Sequence, residues 1–416
     1  AGLTDPSLLG GRSRASESDE SAPPLDTSVP PLDTSEQRPP DEEVTRVLNL
    51  ITACRTGKLG SHVFACGSCH RKLMGLNRCT NRHCTACSHG RRQAWQDQVT
   101  GWLLPVDYWH IVFTLPRELR TLVQSDQHQM LKLFGVCCSD TLRRLGQQLA
   151  CQLGTVAALH TWGQRMNYHV HQHTMVTLGG LSLDRSRWVA AAPDHPAVDE
   201  NRLADALRDT FLRRIRRRLK SGRLVLPATI GCPQAEYLER LAARQWIVHV
   251  DPGPVGADAA SPGVVGYLAG YVSGTAIGNA RILSDDGHWV RFEYKDYRTG
   301  RRAVERLTGV EFTRRFCQHI WPRGIRKVRY GGLFASRGRD ERLERCRMLL
   351  GGDEADSRAD VSGASARSDA QQARPPHDRL DDEAPEDDQP QHEGQQSGST
   401  CRHCGGPLQF SARLKG

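Results

Sequence analysis

Residues 167–178 read Asn-Tyr-His-Val-His-Gln-His-Thr-Met-Val-Thr-Leu and alternate with a period of two. That period predicts a strand, because successive side chains on a strand point to opposite faces. His169, His171 and His173 then share one face, with Val170, Gln172 and Thr174 on the other. Strand composition also marks residues 108–113, 156–161, 246–250 and 289–294. Leu203, Leu207, Phe211, Ile215 and Leu219 recur every fourth residue and predict a helix. Residues 117–152, 263–271 and 311–320 also read as helical. Strands separated by helices, in no strict βαβ rhythm, predict an α+β fold.

The histidine strand brings in chemistry. Same-face neighbours lie roughly 6.6 Å apart, so two imidazoles can converge on one ion at about 2.1 Å each. His169 and His173 would be about 13 Å apart, too far for all three to share one ion. Chance histidines on a half-buried strand are the plainer alternative.

The distribution of charge narrows the class of partner. The net charge of +9 conceals two acidic ends. Residues 1–43 hold ten acidic and three basic residues, and residues 353–400 hold thirteen and four, leaving +25 on the remainder. Such a surplus points to a polyanionic partner, most often nucleic acid. Both acidic segments are poor in apolar residues and are expected to be disordered. No apolar run approaches the ~20 residues of a membrane span. No secretory h-region opens the chain, so its fourteen cysteines are expected as reduced, metal-binding thiols.

Cys66-Gly-Ser-Cys69 and Cys84-Thr-Ala-Cys87 are two CxxC pairs separated by fourteen residues. Each pair can bring two thiolates to one ion, so the four predict a Cys₄ structural Zn²⁺ site. Cys54, Cys79 and His83, with His62, His70 and His89, offer additional ligands, enough for a second ion. Cys401-Arg-His-Cys404 resembles half of a zinc knuckle and would need a distant partner.

Tyr267 and Tyr271 lie four apart, on one face of the helix expected there. Gly266, Gly270 and Gly274 form a second stripe, suggesting that a backbone or a nucleotide strand approaches closely. The 203–220 helix carries Arg213, Arg214, Arg216, Arg217 and Arg218, and a second basic cluster contains Arg326, Lys327 and Arg329. Together with Arg82, Arg91 and Arg92 near the cysteines, these are the expected DNA-phosphate contacts. A plain solvated face is the alternative.

The chain resembles the insertion-sequence 91 family of rolling-circle transposases, of the HUH endonuclease class. The resemblance rests on Cys-Arg-Thr-Gly-Lys-Leu-Gly-Ser-His from Cys54, Asn-Arg-His-Cys-Thr-Ala-Cys from Asn81 and Tyr-Trp-His-Ile-Val-Phe-Thr-Leu-Pro from Tyr108. It continues through His160-Thr-Trp-Gly-Gln, the histidine run closing in Gly179-Gly-Leu-Ser, Tyr267-Leu-Ala-Gly-Tyr271 and Phe292-Glu-Tyr-Lys-Asp-Tyr-Arg, in the family's order over roughly residues 45–350. It places the family's His-x-His on His171 and His173. Gln172 departs from the apolar residue usual between them, and Val272-Ser273-Gly274 replaces a frequent Thr-His-Arg.

The resemblance implies an antiparallel sheet of about four to five strands flanked by helices, beside a small zinc module. The implied divisions are a zinc-binding, DNA-contacting module at 44–100 and a catalytic domain at 101–351, with acidic segments at 1–43 and 352–400 and a short CxxC tail at 401–416. It implies catalytic Tyr267 and Tyr271, with Mg²⁺ or Mn²⁺ on His171, His173 and a third ligand; Gln164, His160 and His249 are candidates. It further implies single-stranded DNA and element ends as partners, and a bacterial cytoplasmic, nucleoid-associated protein. Two other readings stay open: a metal-dependent hydrolase using the HxH pair, and a non-catalytic zinc-ribbon DNA-binding protein derived from a transposase.

Overall fold

The computed structural model describes residues 42–252, 262–296, 299–356 and 400–415; the side chains of His89, Arg91 and Tyr267 lie outside the described residues. The first half of the chain forms α1 (Glu42–Ala53), β1 (Ser61–Cys66), β2 (Lys72–Leu76), α2 (Ser88–Thr100), β3 (Tyr108–Thr114), α3 (Arg120–Ser125) and α4 (Gln127–Gln148). β4 (Cys151–Trp162), β5 (Tyr168–Ser182), β6 (Trp188–Ala190), α5 (Glu200–Lys220), α6 (Gln234–Ala243), β7 (Ile247–Pro252) and α7 (Pro262–Ser273) follow. The remainder is β8 (Ile282–Asp285), β9 (Trp289–Lys295), β10 (Arg302–Thr308), α8 (Gly309–Cys317), β11 (Val328–Gly332), α9 (Arg339–Asp356) and β12 (Leu408–Leu414).

The central sheet runs β11-β4-β5-β3-β7, with β6 pairing on β5, and every pairing is antiparallel. This is the α+β arrangement expected, with helices on both faces. Alternation along the strands divides the core. Trp109, Ile111 and Phe113 of β3 and Val170 and Val176 of β5 pack towards α3, α4, α5 and α6. Tyr108, Val156 and Met175 point the other way, into a core with Trp95 and Val99 of α2, Ala269 of α7 and Leu343 of α9. Burying each of the larger side chains contributes about 1.5–3 kcal/mol. Asp126 and Asp199 cap α4 and α5, accepting from the backbone N–H of Gln129 and Arg202, both at 2.9 Å.

A second sheet, β10-β9-β8, packs with α8 over Met166, Ile277, Phe292 and Leu307. Buried Glu305 pairs with Arg165 and Arg315, tying this sheet to the β4–β5 turn. The third sheet departs from the expected divisions. Residues 401–416, expected as a separate tail, supply β12, which pairs with the open edge of β1. An exposed strand edge leaves backbone N–H and C=O groups to be matched by another strand. The two acidic segments lie almost wholly outside the described residues, although α1 starts at Glu42 and α9 reaches Asp356. Among the described residues no helix is long and apolar enough to cross a membrane.

Candidate active site

β5 carries His169, His171 and His173 on its α7-side face, as alternation requires, with Met175 continuing that face into the core. Neighbouring β4 adds His160, which pairs in register with His171. His160, His171 and His173 bring their ligand nitrogens within 4.8 Å of one another. His169 stays exposed and outside the trio. Of the third-ligand candidates, His160 is the one brought in; His249 instead bonds Glu200 at 2.8 Å and Asp251 at 3.0 Å.

Each imidazole has one nitrogen held by the protein, the arrangement that leaves the other available as a ligand. His160 Nε2–H donates to the Tyr271 carbonyl at 2.7 Å. His171 Nδ1–H donates to the His169 carbonyl at 3.0 Å. His173 Nδ1 lies 3.1 Å from His110 Nε2, and His110 Nδ1 lies 3.8 Å from the Asp251 carboxylate. An Asp251–His110–His173 string would thus orient the third ring. His110 was missed as a site residue. In sequence it is part of a strand and of the family-like stretch from Tyr108, with no metal-site role implied; its place beside His173 arises from the β3–β5 register.

Burial holds these rings neutral, the form that can ligate a metal. His160 is far below the usual imidazole range because of burial, then His171 and Lys327. His171 is pushed down to about 4 by burial and His169. His173 is also depressed, by burial and then by His171 and His110. The donor set of three neutral imidazoles fits a divalent transition metal.

Tyr271, near the C-terminus of α7, closes the site. Its ring centroid lies 4.0 Å from that of His173, 5.3 Å from His110 and 6.1 Å from His160. His160 and Lys327 bind the Tyr271 and Gly274 carbonyls, capping the helix end with polar hydrogens. α2 packs along the same helix, and Arg92 donates to the Gly266 carbonyl at 2.9 Å. The glycine stripe is only partly used. Gly274 sits tight against its own helix and His160, whereas Gly270 has open space where a side chain would go.

The two predicted CxxC pairs do not share one ion. Cys84 and Cys87 join Cys54 and Cys79, while Cys66 and Cys69 lie with Cys401 and Cys404. The reason is topological: β1 and β2 form a hairpin that carries Cys66 and Cys69 to its far end, away from α1 and α2. His83 lies outside both cysteine clusters, with its ring edge-on to Trp321 and centroids 5.9 Å apart. In the first cluster Cys54 and Cys79 each approach Cys87, at 3.6 and 3.8 Å. Tetrahedral zinc with Zn–S near 2.3 Å places sulfurs about 3.8 Å apart, so this cluster fits structural Zn²⁺. A hydrogen bond from Cys79, then one from the Cys87 backbone, draws Cys84 down to about 5, towards the thiolate that zinc needs.

The arginines divide. Arg213, Arg214, Arg216, Arg217 and Arg218 lie on α5, across the sheet from the histidines. Arg214 pairs with Asp140, and Arg218 is half-buried beside Cys137. Arg329 packs on Gly135 of α4, on that same far side. Arg326 is exposed, and Arg91 lies outside the described residues. Arg82, Arg92 and Lys327 stay on the site's side; Arg82 donates to the Ile325 carbonyl and lies over Trp321.

A family model described as "Putative transposase" matches residues 154–342, and one described as "Transposase zinc-binding domain" matches residues 32–115. The chain is 33% identical over 315 residues to "Putative transposase y4qJ" of Sinorhizobium fredii, covering 74% of this chain and 78% of that protein. It is 29% identical over 305 residues to "Transposase for insertion sequence element IS801" of Pseudomonas savastanoi pv. phaseolicola, covering 71% of each. No solved structure gives a significant match. The chain belongs to the insertion-sequence 91 family of transposases.

Proposed function

We propose that this transposase cuts and rejoins single-stranded DNA through a tyrosine, at a divalent metal held by His160, His171 and His173. The observation that carries this reading is the Tyr271 ring, tilted 30° to that of His173 with centroids 4.0 Å apart, beside three converging imidazoles. A bound Mn²⁺ or Mg²⁺ would polarise the scissile phosphate and offset its developing charge; imidazole ligands favour Mn²⁺. The Tyr271 phenol oxygen attacks phosphorus and loses its proton as the new O–P bond forms. The P–O3′ bond breaks, leaving a 5′-phosphotyrosine and a free 3′-hydroxyl, and the stored ester bond allows rejoining without ATP.

His110 keeps His173 aimed at the ion, and His160 couples ligand geometry to the tyrosine helix through the Tyr271 carbonyl. Arg82, Arg92 and Lys327 supply positive charge beside the strand. Tyr267, one turn before Tyr271, is proposed to serve a second transfer, so that one phenol begins strand displacement and the other ends it. Element ends are the proposed substrate, in a bacterial cytoplasm.

The test is incubation of the protein with Mn²⁺ and labelled single-stranded oligonucleotides from its element's ends. A protease-sensitive covalent adduct is expected from the wild type and none from the Tyr267→Phe/Tyr271→Phe double variant. Adduct from that double variant overturns the assignment. Multiple turnover with no covalent species favours a metal-bound hydroxide, and so a hydrolase.

A further inference from the structure

We infer that Cys66, Cys69, Cys401 and Cys404 bind a second zinc ion, which fastens the far C-terminal segment to the N-terminal hairpin. Their four sulfurs lie within 4.8 Å of one another. Across the two CxxC turns, Cys66 and Cys404 approach to 3.4 Å and Cys69 and Cys401 to 3.8 Å. A disulfide needs about 2.05 Å, whereas tetrahedral Zn–S bonds near 2.3 Å set sulfurs about 3.8 Å apart. The backbone is already arranged for thiolate. The N–H groups of Ser68 and Cys69 point at Cys66 Sγ from 3.4 and 3.5 Å, which favours the charged form.

The second turn is built to face the first. Gly405 adopts φ +73°, a left-handed conformation that glycine accepts without strain. It donates to the Cys401 carbonyl at 2.8 Å, and Cys401 donates to the Gly406 carbonyl at 2.8 Å. A Cβ at Gly406 would stand 2.3 Å from Ser68 Oγ and 3.1 Å from Cys66 Sγ, so only glycine lets the turns meet. Gly67 N–H then donates to the Pro407 carbonyl at 2.9 Å, and β12 runs antiparallel along β1 from Cys66–Leu408 to Ser61–Leu414.

Apolar burial cannot account for this attachment. On β12, Phe410 is 64% exposed and Leu414 47%. The edge-on contact of Phe64 with Phe410, centroids 6.2 Å apart, is the main aromatic packing there. Small modules with so little core fold on a metal or a disulfide. The match to the zinc-binding family model ends at residue 115, so half of this donor set lies far outside it.

The test uses the full chain with a specific protease site inserted near residue 375, together with zinc analysis. Two zinc ions per chain are expected, falling to one in Cys401→Ser/Cys404→Ser. After cleavage, the C-terminal fragment should co-elute with the body in zinc buffer. It should separate in the double variant, with the first zinc still bound. A fragment that leaves the wild-type body in zinc, or an unchanged zinc content in the variant, overturns the proposal. The cleaved wild type needs no cysteine substitution, so a misfolded variant would not spare it.

Discussion

The α5 face of the central sheet carries the densest run of arginine, whereas the α7 face carries fewer cations, several fastened to backbone carbonyls beside Tyr271. Arg213 to Arg218 ride a helix whose apolar side packs on α4 and β7; Arg213 donates to Thr210 Oγ1 at 3.3 Å and Arg214 pairs with Asp140. Arg92 and Lys327, by contrast, hold Gly266 and Gly274 of the tyrosine helix. Charge density along a sequence therefore says little about distance to a site. A helix spends its arginines where solvent is, and the sheet decides which face that is.

The largest effect should come from the ligands. His171→Ala or His173→Ala should slow single-turnover nicking by about 10³-fold, the equivalent of the several kcal/mol of charge stabilisation that a catalytic metal supplies. Arg216→Ala/Arg217→Ala, on the other face, should leave that rate within about twofold, as surface changes away from a site usually do. A large drop in the α5 variant would show that both faces serve catalysis.

Next in size is the zinc behind α2. Cys84→Ser removes one of four thiolates from a structural zinc site, the kind of site that contributes folding energy. It should lower the melting temperature and zinc content, and loosen α2 against α7. Stripping zinc and restoring Mn²⁺ alone should not recover nicking; full recovery would show that the zinc module does not position the tyrosine helix.

A smaller change is expected from His110→Phe, which keeps the ring packing but removes the partner of His173 Nδ1. Loss of such an orienting group weakens metal binding by about 10–100-fold, to be read by Mn²⁺ titration with electron paramagnetic resonance. Unchanged affinity would mean that His110 only fills space. Last, Lys327→Met should flatten the salt dependence of single-strand binding by roughly 0.7 in log–log slope, the contribution of one phosphate contact. Arg217→Met should leave the slope unchanged if the strand keeps to the α7 face.

The strands bearing the site were legible because their periodicity is local. Alternation placed His171 and His173 on one face and Gln172 on the other, where it is buried and bonds Thr174 at 3.2 Å. Four-residue spacing placed α5 and α7. What failed to show was long range. His110 reaches the site through sheet register, as does His160, which the sequence offers only as one of three candidates beside Gln164 and His249; no single strand reveals that register. The two CxxC pairs looked like one centre because they are neighbours in sequence, yet a hairpin separates them and β12 brings their partners from the other end of the chain. Lys327 was read as part of a basic cluster, but it is singled out by the Gly274 carbonyl it caps.

The most direct measurement is mass spectrometry of the peptide spanning 262–274 after reaction with a suicide oligonucleotide and Mn²⁺. A nucleotide mass on Tyr271 or Tyr267, absent when His171 and His173 are replaced by alanine, is the result expected of a metal-assisted tyrosine transferase. Cut DNA with no nucleotide on either phenol would contradict it.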